Sequence, residues 1–217
     1  MERARFEAEI NDLAVLDRSR EFENEQVTTD QVCIFLLDLS GRLRRRELRE
    51  NIVTKLERKF NALDHTWLRT AKFRFVVIYR EQEPSDKEKA GFRKLDFPVY
   101  VLGEQHQERT VIALMEKHRI GKTIKGTDMY DHARAEWSNE KNRGLGIPSG
   151  TGYRKVGFIK AHKIFEQASD AAQGLVNCIA HEIGHMGNNT THTSSGLMKY
   201  PVSLDADITF SDGDRNF

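Results

Sequence analysis

The segment that most constrains the fold lies between residues 171 and 186, near the carboxyl end of the 217-residue chain. Its middle is apolar and leads into the motif His-Glu-Ile-Gly-His at positions 181–185. Ser169 and Asp170 can cap the start of a helix, and the Gly-Asn-Asn sequence at 187–189 can end it. The pattern predicts a helix over 171–186, and its apolar turns indicate that this helix is buried.

The upstream sequence alternates between patterns typical of strands and of helices. Residues 32–37 form a continuous apolar run, and residues 72–79 are rich in aromatic and β-branched side chains, so both are predicted strands. Between them, residues 42–63 place an apolar side chain at every fourth position from Leu48 to Phe60, which predicts a helix. A strand, a helix and a second strand in this order indicate a parallel α/β unit.

Further segments complete the predicted organisation. Residues 97–102 and 155–161 are predicted strands, the second of them at an edge of the sheet. The stretch 121–150 contains many Gly, Asp and Asn residues and is predicted to be irregular, with an exposed loop at 144–150.

Charge and composition limit the class of protein. Charged residues make up 31% of the chain, yet the net charge is only +1, which argues against a nucleic-acid partner. The arginine cluster at 42–49 is interpreted as a solvated helix face. Cys33 and Cys178 lie in apolar runs and are predicted to be buried free thiols in a reducing compartment.

The chain shows no sign of a membrane or secretory segment. No apolar stretch reaches transmembrane length, and the N-terminus lacks the apolar core of a secretory signal. We therefore expect no membrane partner and synthesis in the cytoplasm, with export by a route that needs no signal peptide left open. We expect a monomer with an N-terminal helical arm at 1–28 and one domain at 29–217.

The motif at 181–185 carries the residues of a metal site. His181 and His185 are four positions apart, so both project from one helix face and can bind one zinc ion through nitrogen. Glu182 lies beside the first ligand, where it can act as general base for a zinc-activated water and pass the proton to a leaving amine. A third ligand is needed, and His192 can reach the metal if the chain turns back after the helix.

Residues 181–192, together with the Leu-Met-Lys-Tyr-Pro sequence at 197–201, resemble the metzincin metallopeptidases. The resemblance implies an α/β (α+β) fold of the zincin type, in which a mixed, mostly parallel sheet packs against a backing helix and the zinc-binding helix. It implies His192 as the third ligand and Met198 as the structural residue of a turn below the metal. The chain departs from the pattern H-E-x-x-H-x-x-G-x-x-H, because this histidine falls one residue later.

The resemblance also implies a function for the domain at 29–217, whose part after the Met-containing turn is minimal. We expect a zinc-dependent endopeptidase that binds a protein or peptide along the edge strand at 155–161. Tyr200 would donate to the oxyanion, as in some branches of the family, or have no such role, as in others.

The sequence is also compatible with two other hypotheses. A carboxylate could replace the third histidine, as in intracellular peptidases that cleave regulatory proteins. The candidates are Asp205, Asp207, Asp212 and Asp214. Alternatively, the chain could be a zincin-like binding module or effector without catalysis, although the presence of Glu182 argues against this reading.

Overall fold

The computed structural model of the protein describes residues 31–61, 72–79, 97–117, 120, 123–124, 127–147, 155–186 and 192–210. The predicted arm at 1–28 lies outside these ranges. The elements are, in chain order, β1 (Gln31–Asp38), α1 (Arg46–Asn61), β2 (Lys72–Tyr79), β3 (Phe97–Leu102), α2 (Glu108–Lys117), β4 (Thr123–Ile124), β5 (Thr127–Asp128), α3 (Met129–Ser138), β6 (Gly144–Ile147), β7 (Val156–Lys160), α4 (Ala161–Gln167) and α5 (Ala171–Met186). A short 3-10 helix (Arg42–Arg44) precedes α1, so the predicted helix at 42–63 begins with a separate turn.

Five of the strands form one sheet in the order β2-β1-β3-β7-β6. Strands β2, β1, β3 and β7 are parallel to one another, and β6 runs antiparallel to β7. The two short strands β4 and β5 pair separately. The predicted fold class, a mixed and mostly parallel sheet packed against helices, is confirmed.

Both faces of the sheet are covered, because successive strand residues point to opposite sides. Ile34 and Leu36 of β1 belong to a buried cluster that includes residues of α1 and α5. Phe35 and Leu37, the residues that alternate with them, belong to a second cluster with residues of α2 and α3. A parallel sheet covered on both faces accounts for the continuous apolar run at 32–37.

Helix α5 has the bounds that the sequence predicts, and it is buried along almost its whole length. The Asp170 side chain accepts a 3.1 Å hydrogen bond from the backbone N–H of Gln173, which caps the first turn. Cys178 is a buried free thiol, as predicted, whereas the side chain of Cys33 lies outside the described part. In the described ranges, no helix combines the length and apolar character needed to span a membrane.

The strand predicted at 155–161 is present as β7, but the prediction that it lies at an edge of the sheet is wrong. Strand β7 pairs with both β3 and β6, so it is internal, and α4 begins at Ala161. The edge belongs to β6, in a segment predicted to be an exposed loop. Its Leu145 and Ile147 are buried and alternate with glycines, a period of two that is typical of a strand.

The stretch 121–150 is also more regular than predicted, because it contains helix α3. The Asp128 side chain accepts hydrogen bonds from the backbone N–H groups of Tyr130 and Asp131, which starts the helix. Three buried side chains then follow at a spacing of four, namely Met129, Ala133 and Trp137. Burial of this apolar stripe stabilises a helix even though the composition of the segment is mostly polar.

Candidate metal centre

The three histidines predicted as ligands lie together. The Nε2 atoms of His181 and His185, one turn apart on α5, are separated by 3.0 Å. The ring of His192 is centred 5.3 Å from that of His181 and 5.1 Å from that of His185. One nitrogen from each residue can be chosen so that all three lie within 4.8 Å of one another. Among the described residues, this is the one group of three or more His, Cys, Asp or Glu that could hold a metal ion.

The donor atoms suit zinc. Tetrahedral zinc with Zn–N bonds near 2.0–2.1 Å places its nitrogen ligands about 3.3 Å apart, close to the observed spacing on α5. Nδ1 of His181 donates a 2.8 Å hydrogen bond to the carbonyl of Leu197, which keeps the proton on Nδ1, so the lone pair that can bind a metal is on Nε2. Partial desolvation lowers the pKa of His192, although the residue is exposed at the surface and the charge of Glu136 acts in the opposite direction, and so favours the neutral ring that binds metal.

A tight turn at 193–199 contains the carbonyl that accepts the hydrogen bond from His181. The backbone N–H of Thr193 donates to the carbonyl of Met198 at 3.0 Å, and Gly196 adopts a left-handed φ of 73°. Met198 is fully buried and joins the same apolar cluster as the helix that carries the histidines. The turn therefore connects a core methionine to the carbonyl that holds His181, while the role of Met198 below the metal stays a prediction.

Glu182 is buried beneath strand β6. Burial raises the pKa of its carboxyl to about 8, and a hydrogen bond from the backbone N–H of Gly146 opposes this rise. A Cβ atom at Gly144 would lie 2.5 Å from Oε1 of Glu182, and one at Gly146 would lie 2.8 Å from Cβ of His185. Glycine at both positions is what allows β6 to lie directly on α5.

Tyr200 lies beside the third histidine. Its ring centre is 5.1 Å from that of His192, and its hydroxyl donates a 2.6 Å hydrogen bond to Oδ1 of Asn142. The amide of Asn142 in turn donates to the backbone carbonyl and to the carboxylate of Glu136. Asn142 and Glu136 were not predicted, since neither belongs to a local pattern that points to the site.

The two described carboxylates of the alternative ligand set lie elsewhere. Asp205 accepts hydrogen bonds from the backbone N–H groups of Ser169 and Asp170, at the start of α5. At 1.5 Å per residue, that end is about 16 Å from His181 along the helix. Asp207 pairs with cationic side chains of α1. The other two candidates, at 212 and 214, lie outside the described residues.

Comparison with known proteins assigns no family to this chain. No protein-family model matches it, and no curated protein sequence is significantly similar to it. The resemblance to metzincins therefore stays a prediction, and the function has to be inferred from the residues of the site.

Proposed function

We propose that the protein is a zinc-dependent endopeptidase of the metzincin type. The observation that carries this proposal is the convergence of His181, His185 and His192, with Glu182 next to the first of them. Three histidines leave one position of a tetrahedral metal for a reactant, which is the arrangement of catalytic zinc sites. A site that only bound metal would have no need of a carboxyl group in this position.

When bound, zinc would polarise the peptide carbonyl and make a water molecule more acidic. A cation in the site would lower the pKa of the buried Glu182 carboxyl and so keep it ionised. The carboxylate of Glu182 then accepts the proton of this water while the water oxygen bonds to the carbonyl carbon. Glu182 then donates that proton to the amide nitrogen as the C–N bond breaks, so the carboxylate is regenerated. Its burial below β6 keeps the proton transfer away from bulk solvent.

We place the substrate along β6 rather than along β7. Strand β6 is the end of the sheet next to α5, and its outer side pairs with no strand among the described residues. An extended peptide that added to this edge would run past Glu182 and the histidines, and backbone pairing would give affinity without a strict sequence requirement. Tyr200, beside His192, is the candidate donor to the oxyanion, a role in which its hydroxyl would exchange the hydrogen bond to Asn142 for one to the oxyanion.

Metal content is the first test. Elemental analysis of the purified full-length chain should find about one zinc per molecule. The variant His192→Ala should lose it, while His132→Ala, which removes an exposed histidine of α3, should keep it. A folded wild-type protein without zinc, even after incubation with the metal, would contradict the proposal.

Peptidase activity is the second test. The zinc-loaded protein should cleave an unfolded protein substrate, and Glu182→Gln should abolish cleavage while zinc is retained, since Glu182 is the base and not a ligand. Zinc binding by a protein whose wild-type and Glu182→Gln forms are equally inert towards a broad peptide library would instead support the binding-module reading.

A further inference from the structure

The third ligand is held differently from the first. Nδ1 of His181 is anchored by the Leu197 carbonyl, whereas neither ring nitrogen of His192 has a hydrogen bond to the described residues. His192 is exposed, and its ring lies close to the rings of His181, His185 and Tyr200. It stacks on His181 at an interplanar angle of 16°, and Tyr200 lies against it at 36°. The orientation of the third ligand thus depends on aromatic packing.

The Tyr200 ring needs an anchor of its own to serve as a support. Its side chain is on the surface, 40% exposed, where an unanchored aromatic ring can rotate into solvent. The 2.6 Å hydrogen bond to Oδ1 of Asn142 holds the hydroxyl end. This bond joins residues 58 positions apart, so it also ties the turn at 193–199 to the segment before β6.

Asn142 is itself fixed in place. It is 6% exposed, and its NH₂ group donates to the carbonyl and to the carboxylate of Glu136. Because both contacts use the amide nitrogen, Oδ1 is the atom presented to Tyr200. The contacts therefore run from Glu136 through Asn142 and Tyr200 to the ring of His192.

We infer that Asn142 is a positioning residue of the metal centre, which orients His192 by holding the Tyr200 ring against it. The inference rests on the zinc site of the proposed function. A ligand that is already oriented loses less conformational freedom when the metal binds. Residues that orient metal ligands typically change metal affinity by about 10–100-fold when they are replaced.

Zinc affinity and cobalt spectra test this inference on the full-length protein. Zinc Kd is measured by competition with a chromophoric chelator, and the visible absorption of the Co²⁺-substituted protein reports the ligand geometry. Asn142→Ala and Tyr200→Phe should each raise the zinc Kd at least about tenfold. Both should also alter the cobalt spectrum. The zinc Kd of the double variant should not exceed the higher of the two single-variant values, because both changes break the same hydrogen bond.

Asn61→Ala is the matched control. Asn61 also holds a distant backbone segment, through hydrogen bonds with the N–H and carbonyl of Phe73 on β2, at the opposite edge of the sheet. It should lose stability but keep the wild-type zinc Kd and cobalt spectrum. Tyr200→Phe keeps the ring of this surface residue and removes only the hydroxyl that bonds to Asn142, so it remains informative if Asn142→Ala does not fold.

The possible outcomes separate the two proposals. Wild-type zinc affinity and an unchanged cobalt spectrum in Tyr200→Phe would overturn the role of Asn142 and leave the peptidase proposal standing. The role of Asn142 would also be overturned if the fold-changes in zinc Kd of the two single variants multiplied in the double variant, since the two residues would then act independently. A wild-type protein that binds neither zinc nor Co²⁺ would overturn the proposed function and this inference together.

Discussion

The ring of His181 and the backbone of Leu197 are joined by a 2.8 Å hydrogen bond in which Nδ1–H donates to the carbonyl oxygen. This bond connects helix α5 to the turn at 193–199, sixteen residues later. Gly196, immediately before Leu197, has a φ of 73°, so the position of the accepting carbonyl depends on a backbone conformation that favours glycine.

We predict that Gly196→Ala weakens metal binding through this carbonyl. An alanine in the left-handed region costs about 1–2 kcal/mol, and relaxation of the turn would move Leu197 away from His181. Gly41→Ala is the control, because Gly41 has a similar φ of 70° and lies before α1. Urea unfolding should show a similar loss of stability in both apo-variants, whereas the zinc Kd should rise only in Gly196→Ala. Equal zinc affinities would contradict the prediction.

We predict different effects of alanine at the two glycines of β6. In Gly144→Ala the new methyl group meets the end of the Glu182 side chain, which can move aside, so zinc is retained and kcat falls about 100-fold. In Gly146→Ala it meets the backbone of α5 and Cβ of His185, which cannot move without shifting the helix. That variant should lose about 1–3 kcal/mol of stability and also bind zinc more weakly.

These two variants are compared by zinc titration, peptidase assay and urea unfolding on the same preparations. Gly157→Ala serves as the control, since the three atoms nearest to its methyl group would be Sδ of Met186, at 3.0 Å on the same helix, and two methyl carbons of Val99, not atoms of Glu182 or of a histidine. The idea that β6 shapes the site fails if Gly144→Ala cleaves substrate at the wild-type rate.

We predict that stability falls in acid as Asp207 is protonated. The pKa of its carboxyl lies below the usual value, chiefly because the buried Lys59 donates a hydrogen bond to it, with a further contribution from the charge of Arg58. The unfolded chain therefore takes up this proton first. The stabilisation is complete above the unfolded pKa near 3.8 and is lost as pH falls through the lower folded pKa.

Asp207→Asn isolates this contribution. Its free energy of unfolding at neutral pH should be lower by about 1 kcal/mol, a modest value because the Asp207 side chain is half exposed and water screens the pair. The difference from the wild type should vanish as pH falls from about 5 to 2. Glu50→Gln, which removes the fully exposed pair with Arg46, should change stability little at any pH. A pH-independent difference between Asp207→Asn and the wild type would count against this assignment.

We predict that the hydrogen bonds of Asn177 stabilise the packing of the segment 200–210 against α5. Asn177 is completely buried, and its amide donates to the carbonyls of Ser203 and Ala206 at 2.9 and 2.7 Å. Asn177→Ala leaves both carbonyls without this donor and should lower stability by about 2–4 kcal/mol. Limited proteolysis should then cut the segment 200–210 faster than in Gln167→Ala, which removes an exposed hydrogen bond to Arg143.

The elements that the sequence predicts correctly are those with a local signal. Helix α5 and the common face of its two histidines can be predicted because the signal, a spacing of four residues, lies within one continuous stretch of sequence. The strands at 72–79 and 97–102 follow from the same kind of short-range pattern, and so does the covered parallel sheet. Within helix α3, Met129, Ala133 and Trp137 show that such a signal can be present and still be hidden by polar neighbours.

By itself, the sequence determined an α/β chain with a buried helix that presents His181, Glu182 and His185, because helix periodicity requires only neighbouring residues. The tertiary structure decided that β6, not β7, is the edge strand, because strand order depends on pairing between distant segments. It alone brought His192 beside Tyr200 and Tyr200 onto Asn142. Such polar and aromatic contacts join residues far apart in the chain, so they leave no periodic pattern from which they could be read.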